Sequence, residues 1–164
     1  MLQGIVDYVL VGHSARRAMG ETDEQIARKV AAVAAAGLVP ILFVGEDRRE
    51  DDAMRQTAAR LRQGLSRIDP AAQPVLIVYE PVWAVGADDA ADDEHVRRVV
   101  EHLKSGLHAL GVADPTILYG GTVSPATIDR FLRLEVLDGV GATRASLDPA
   151  GFLAMVDRVR SVDG

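Results

Sequence analysis

The sequence predicts an α/β protein whose parallel sheet is covered by helices, and three observations lead there. Short runs rich in Val, Ile and Leu recur along the 164 residues, each followed by Gly, Ser or an acidic residue. Between them lie segments whose apolar residues return at helical spacing. The runs are apolar on both faces, as strands buried between two layers are; a strand with one wet face would alternate.

The first run, Tyr8–Val11, opens into Gly12-His13-Ser14. A helix is predicted over Glu24–Ala36, with Ile26, Val30 and Val33 on one face among Ala, Arg and Lys. Thr22-Asp23-Glu24-Gln25 supplies its capping start, and Gly37 stands just past its end, where a left-handed residue belongs. The second strand, Pro40–Val44, ends in Gly45-Glu46, and a charged loop over Arg48–Asp52 leads to a helix over Ala53–Leu65 carrying Met54, Leu61 and Leu65. The third strand, Val75–Tyr79, delivers Glu80 to its C-terminal tip and passes at once into Pro81, Trp83 and a small-residue loop at Gly86. A long helix over Asp93–Leu110 then places Val96, Val99, Val100, Leu103, Leu107 and Leu110 on one stripe.

The fourth strand, Thr116–Tyr119, enters Gly120-Gly121-Thr122 and a short helix over Thr127–Leu134. The fifth, Val136–Ala142, runs through Gly141-Ala142-Thr143-Arg144 to a last helix over Gly151–Val159. Ser124-Pro125 and Asp148-Pro149 read as caps followed by Pro at the first helical position. Five βα units follow one another without a linker, a low-complexity tract or a close repeat. A single domain over residues 1–164 is expected.

Composition narrows the function. The absence of Cys removes disulfide frameworks and Cys-based metal or redox sites. A net charge of −6 and a pI of about 5.2 leave no basic face for nucleic acid or anionic lipid, so neither is an expected partner. No stretch approaches the roughly eighteen apolar residues of a membrane span, and the first residues lack the charge and apolar pattern of a secretory signal. The expected location is the cytosol.

In an α/β protein of this kind the chemistry sits at the strand C-termini, where loops and helix N-termini converge. Glu80 at a strand tip is placed as a base beneath a loop; it can equally cap the next helix or meet water. His13 at a neighbouring strand end can polarise a carbonyl while Glu80 moves a proton beside it, or it can be a hydrogen-bonded structural residue. The two Gly-rich turns can bind phosphate through backbone N–H groups, or simply turn the chain. His95, His102 and His108 share one helical pattern and read as surface or half-buried residues. Glu46, Asp88, Asp89, Asp92 and Asp93 read as solvated loop or helix-start charges.

Taken together, Tyr8-Val9-Leu10-Val11-Gly12-His13-Ser14-Ala15-Arg16-Arg17, Gly20-Glu21-Thr22-Asp23, Pro40-Ile41-Leu42-Phe43-Val44-Gly45-Glu46, Tyr79-Glu80-Pro81-Val82-Trp83-Ala84-Val85-Gly86, Leu118-Tyr119-Gly120-Gly121-Thr122-Val123 and Ala145-Ser146-Leu147 resemble the triosephosphate isomerase family, in order and at its spacing. The resemblance implies an incomplete TIM (β/α) barrel of five parallel βα units. It implies interconversion of dihydroxyacetone phosphate and glyceraldehyde 3-phosphate through an enediol, with a small phosphorylated sugar as substrate and neither metal nor organic cofactor. By position it makes Glu80 the proton-shuttling base and His13 the neutral electrophile, roles that are established for this family's chemistry. Pro81–Trp83 matches the first hinge of a lid, and Gly86 the lid residue whose backbone meets phosphate. Thr122 stands where the family has a phosphate-contacting Ser, and Thr143 and Arg144 stand at its pair of glycines.

The departures carry expectations of their own. The family barrel has eight strands in about 250 residues, and the resemblance begins just before the fourth. A truncated or late-starting version of a longer product is therefore expected, without the family's Asn and its cationic Lys. Ala15 replaces a Glu that pairs with that Lys, and the lid reads Gly86-Ala87-Asp88-Asp89-Ala90-Ala91, acidic where it should close over phosphate. Impaired turnover is the consequence, and a non-catalytic interaction module is the alternative. Thr143-Arg144 and the altered lid also suit a superfamily isomerase for a four-carbon ketose phosphate. Open sheet edges predict self-association or a homo-oligomer.

Overall fold

The computed structural model describes residues 4–49, 52–87, 90–142 and 144–162. Five strands form one all-parallel sheet in chain order: β1 (Tyr8–Val11), β2 (Val39–Val44), β3 (Leu76–Tyr79), β4 (Ile117–Tyr119) and β5 (Gly139–Val140). The helices α1 (Ser14–Ala18), α2 (Asp23–Ala35), α3 (Ala53–Leu65), α4 (Asp93–Ala109), α5 (Ile128–Leu132) and α6 (Pro149–Val162) alternate with them. An open parallel sheet of this kind is an α/β fold, and its unclosed order is that of an incomplete barrel. No helix among the described residues is long and apolar enough to cross a membrane.

Register explains where the core sits. Paired residues of parallel strands face the same side and neighbours along a strand face opposite sides. One row therefore runs Val11, Leu42, Ile77 and Ile117, and a second runs Val44, Tyr79 and Tyr119. Both rows are buried, packed with Ile26 and Val30 of α2, Leu61 of α3 and Val99 and Leu103 of α4. Burying each such side chain contributes about 1.5–3 kcal/mol before the cost of ordering it. The opposite face carries Tyr8, Leu10, Ile41, Phe43, Leu76 and Val78; Tyr8 and Leu10, on the edge strand β1, are exposed.

Local chemistry sets the helix ends. Thr22 caps α2 as a full capping box with Gln25, and Gly37 lies beyond it at φ +73°. Asp148 accepts the amide of Gly151 at 3.0 Å ahead of Pro149, the first residue of α6. Ser124 does not cap a helix: α5 starts later, at Ile128, with Thr127 at its N-cap.

Two further elements differ from the sequence reading. The helix α1 was not foreseen, because five residues are too few to show a helical period; His13 caps it, its side chain accepting the Ala15 amide. The fifth strand is two residues long where seven apolar-looking ones were expected. Val136 and Leu137 turn inward against the core instead, and the Asp138 carboxylate takes the Ile117 amide at 2.7 Å.

Candidate active site

Gly12, at φ +79°, turns the chain out of β1 and aims His13 at the start of α1. His13 Nδ1 accepts the Ala15 amide at 3.1 Å. A ring nitrogen that accepts carries no proton, so the neutral imidazole bears its proton on Nε2. The ring stands edge-on to Phe43, centroids 5.0 Å apart, which holds its orientation.

Glu80 follows β3. Its amide donates to Val44 O at 2.8 Å, continuing the ladder, while its side chain is buried. Oε2 accepts the Ser14 amide at 2.8 Å, and Oε1 lies 2.9 Å from His13 Nε2. That separation is an ion-pair distance, yet the ring N–H misses hydrogen-bond alignment and leaves Oε1 buried without a hydrogen bond among the described residues. Burial raises the Glu80 carboxyl above its ordinary 4.5, against the opposing pull of the Ser14 amide, His13 and Arg17. Gly45 follows the last residue of β2, the strand that lies between β1 and β3. A Cβ there would lie 1.9 Å from Glu80 O, which only glycine permits.

The second cluster forms around the loop after β3. Gly86, at φ +71°, donates its amide to Thr122 Oγ1 at 3.1 Å, and the Thr122 hydroxyl donates to Ala84 O at 2.7 Å. Arg144 closes the group from the far side: a Cβ on Gly86 would lie 2.8 Å from its Nη2. Together with Gly121 they line a small cavity of about 90 Å³. Gly86, Thr122 and Arg144 thus come together, while Thr143, and the acidic pair Asp88 and Asp89, lie outside the described residues. Beyond the loop, the Ala91 amide donates to Tyr119 Oη at 3.2 Å, and burial pushes that phenol up to about 12.

Glu46 corrects the sequence reading most sharply. Expected in water, it is fully buried at the end of β2. Its Oε1 accepts from Tyr79 Oη at 2.9 Å and Trp83 Nε1 at 2.9 Å, and lies 2.8 Å from His95 Nε2; Oε2 accepts from Thr57 Oγ1 at 3.0 Å. Burial pushes its carboxyl upward, but the bonds from His95, Trp83 and Tyr79 outweigh it and hold the group below its ordinary 4.5. Tyr79 is pushed above its ordinary 10 by burial and by the Glu46 charge, so it stays a donor. The available signal was position: Gly45-Glu46 follows a strand just as Glu80 does. Among the described residues no group of three or more His, Cys, Asp or Glu is placed to hold a metal ion.

A parallel sheet whose strand C-termini gather a His–Glu pair beside a glycine-rich, cation-lined loop pocket defines an α/β-barrel type of site, open here at five strands. The chain belongs to the triosephosphate isomerase family: the family profile described as Triosephosphate isomerase matches residues 1–159. It is 42% identical over 157 residues to the triosephosphate isomerase of Leifsonia xyli subsp. xyli (strain CTCB07), covering 91% of this chain and 60% of that protein. It is 38% identical over 151 residues to that of Synechococcus sp. (strain RCC307), covering 90% and 58%. With the protein of Synechococcus sp. (strain CC9311) it shares 36% over 160 residues, covering 95% and 64%. The chain thus spans about three fifths of the length of these curated relatives.

Proposed function

We propose that this chain carries the proton-transfer and phosphate-holding elements of a triosephosphate isomerase, interconverting dihydroxyacetone phosphate and glyceraldehyde 3-phosphate. The observation that carries the reading is the pairing of His13 Nε2 with Glu80 Oε1 at 2.9 Å, the carboxylate oxygen holding no hydrogen bond. Glu80 Oε1 removes the proton from the carbon beside the substrate carbonyl. The Nε2–H of His13 hydrogen-bonds the oxygen on which charge develops, and Glu80 returns the proton to the adjacent carbon. A carboxylate raised by burial is the stronger base for a carbon acid.

Gly86, Thr122, Thr143 and Arg144 are proposed to hold the phosphate, the first through its amide. Arg144 supplies the cation. Both lysines of the chain are engaged elsewhere, Lys29 with Glu21 and Lys104 with Asp138, while Arg144 pairs with no carboxylate among the described residues.

The test is binding of a phosphate-bearing enediolate analogue to the purified chain, followed by turnover of the three-carbon substrate and of a four-carbon ketose phosphate. Binding weakened about tenfold or more by Arg144→Ala is expected, since a charge-assisted phosphate contact contributes about 1.5–3 kcal/mol. A folded chain that ignores the analogue would overturn the reading in favour of a non-catalytic module. Preferential turnover of the four-carbon substrate would replace the substrate assignment alone.

The same proposal includes association of chains through the edge of β1, because Tyr8 and Leu10 lie exposed there. Sedimentation over a concentration series should show self-association that weakens on Leu10→Lys. A monomer at every concentration would count against it.

A further inference from the structure

The turn that aims His13 is built on the residue type with the least conformational preference, and Arg17 holds it. Gly12, at φ +79°, has no Cβ to restrict its rotation, so its own side chain does nothing to fix the Gly12–His13 peptide. The Gly12 carbonyl accepts the Arg17 Nε–H at 3.0 Å. Arg17 lies on α1, and its side chain folds back over the turn from which that helix starts. Its Nη1 meets the carboxylate of Asp23, the first residue of α2. A planar guanidinium meets a carbonyl and a carboxylate at once in fixed directions, which a single amine does not.

This arginine is buried more deeply than a link between two helices requires. Its side chain is 14% exposed, against 44% for Asp23, so the guanidinium is drawn inward from its own carboxylate. A pair that merely joined α1 to α2 would sit at the surface with both heads in water. Here Nη2 is buried and makes no hydrogen bond among the described residues, which costs free energy that a surface pair avoids. The inward position places Nε on the Gly12 carbonyl and brings a permanent positive charge to bear on the Glu80 carboxylate, against its burial. Among the described residues the ion pair of Arg17 is with Asp23, and that of Glu80 is with His13.

We propose that Arg17 is a positioning residue for the His13–Glu80 pair: by holding the Gly12 carbonyl, it keeps His13 Nδ1 on the Ala15 amide and Nε2–H toward Glu80. Without that hold the Gly12–His13 peptide rotates, the Ala15 contact loosens, and the neutral ring divides between its two tautomers. The inference rests on the proposed isomerase reading only in giving the ring a task. The tautomer of the ring is measured without turnover.

Nitrogen-15 spectra of the full chain at about pH 8.5, where ordinary imidazoles are neutral, show which ring nitrogen carries the proton. His13 is identified among the four histidines by its loss in His13→Gln. The wild-type ring is expected as the Nε2–H form alone. Arg17→Gln, a shorter side chain without the charge or the fork, should bring in the Nδ1–H form and draw the two ring-nitrogen signals toward each other. Asp23→Ala removes the link to α2 but leaves Nε on Gly12, and should keep the wild-type pattern. A folded Arg17→Gln chain with an unchanged ring, or an Asp23→Ala chain that changes it as much, would overturn the proposal. Should Arg17→Gln lose its circular-dichroism signature of folding, the Arg17 Nε–H of the wild-type chain decides: slow exchange with solvent supports the hold, and exchange as fast as that of an exposed arginine overturns it. In a chain with turnover, Arg17→Gln should lower kcat about tenfold to a hundredfold with KM changed less than about twofold, because a misaimed ring is missed in the transition state while the phosphate contacts remain. An inert chain with an Arg17-dependent ring would defeat the isomerase reading and keep this one, and a competent chain whose ring and kcat ignore Arg17→Gln would do the reverse.

Discussion

Replacing Glu80 by Gln is expected to lower isomerase turnover by about 10²–10⁴-fold, the usual contribution of a positioned general base, and to change how stability depends on pH. The amide keeps the shape and the contact with the Ser14 amide but cannot take a proton from carbon. The stability arm follows from burial, which holds the folded carboxyl above its ordinary 4.5. As pH rises from that value to the raised folded one, the unfolded chain has released this proton and the folded chain still holds it. Stability therefore falls with rising pH across that window, and the Gln variant lacks this fall. Urea midpoints of both proteins at a series of pH values read this arm even in a chain without turnover. Full turnover in the folded variant would sink the role proposed for Glu80, and parallel pH profiles would sink the account of its burial.

The second large effect is expected at Glu46. Glu46→Ala leaves Tyr79 Oη, Trp83 Nε1, His95 Nε2 and Thr57 Oγ1 facing a hole and should cost about 3–5 kcal/mol, the range for breaking a buried charged network by removing one member. Glu46→Gln keeps an acceptor for the three donors on one side and offers its amide to the Thr57 hydroxyl, so its cost should be nearer 1–2 kcal/mol. The sign of the pH dependence is opposite to that at Glu80. The folded Glu46 carboxyl lies below 4.5, so its contribution is complete above that value and is lost as pH falls through the lower folded one. Wild type should therefore lose stability in acid that neither variant has to lose. An Ala variant with an unchanged urea midpoint would mean that the network holds nothing.

These two carboxylates also mark how far the sequence can be read. Both follow a strand and precede a loop, so position alone does not separate them. Glu80 was singled out because the residues after it match a family motif, whereas Glu46 was assigned to water, where a lone Glu usually belongs. Its burial depends on donors from β3, the 3-10 turn, α3 and α4, up to 49 positions away. No local pattern reports such a convergence. Similarly, α1 was missed because a five-residue helix has no periodicity to show, and the fifth strand was overdrawn because Val136 and Leu137 are apolar for a different burial.

What the amino-acid sequence determined by itself was the succession of elements. Tyr8–Val11 and Ala53–Leu65 appear with the boundaries their apolar spacing predicts, and Thr22 and Gly37 act where cap chemistry places them. Such choices are made over a few neighbouring residues, through backbone sterics, side-chain spacing and local hydrogen bonds. The tertiary structure alone decided which charges left water. It set His13 against Glu80, pressed Arg144 against Gly86, and closed four donors around Glu46. The physical reason is that a charge's environment depends on which distant strand ends and helix starts the parallel register brings together, and that register is a property of the packed sheet rather than of any segment in it.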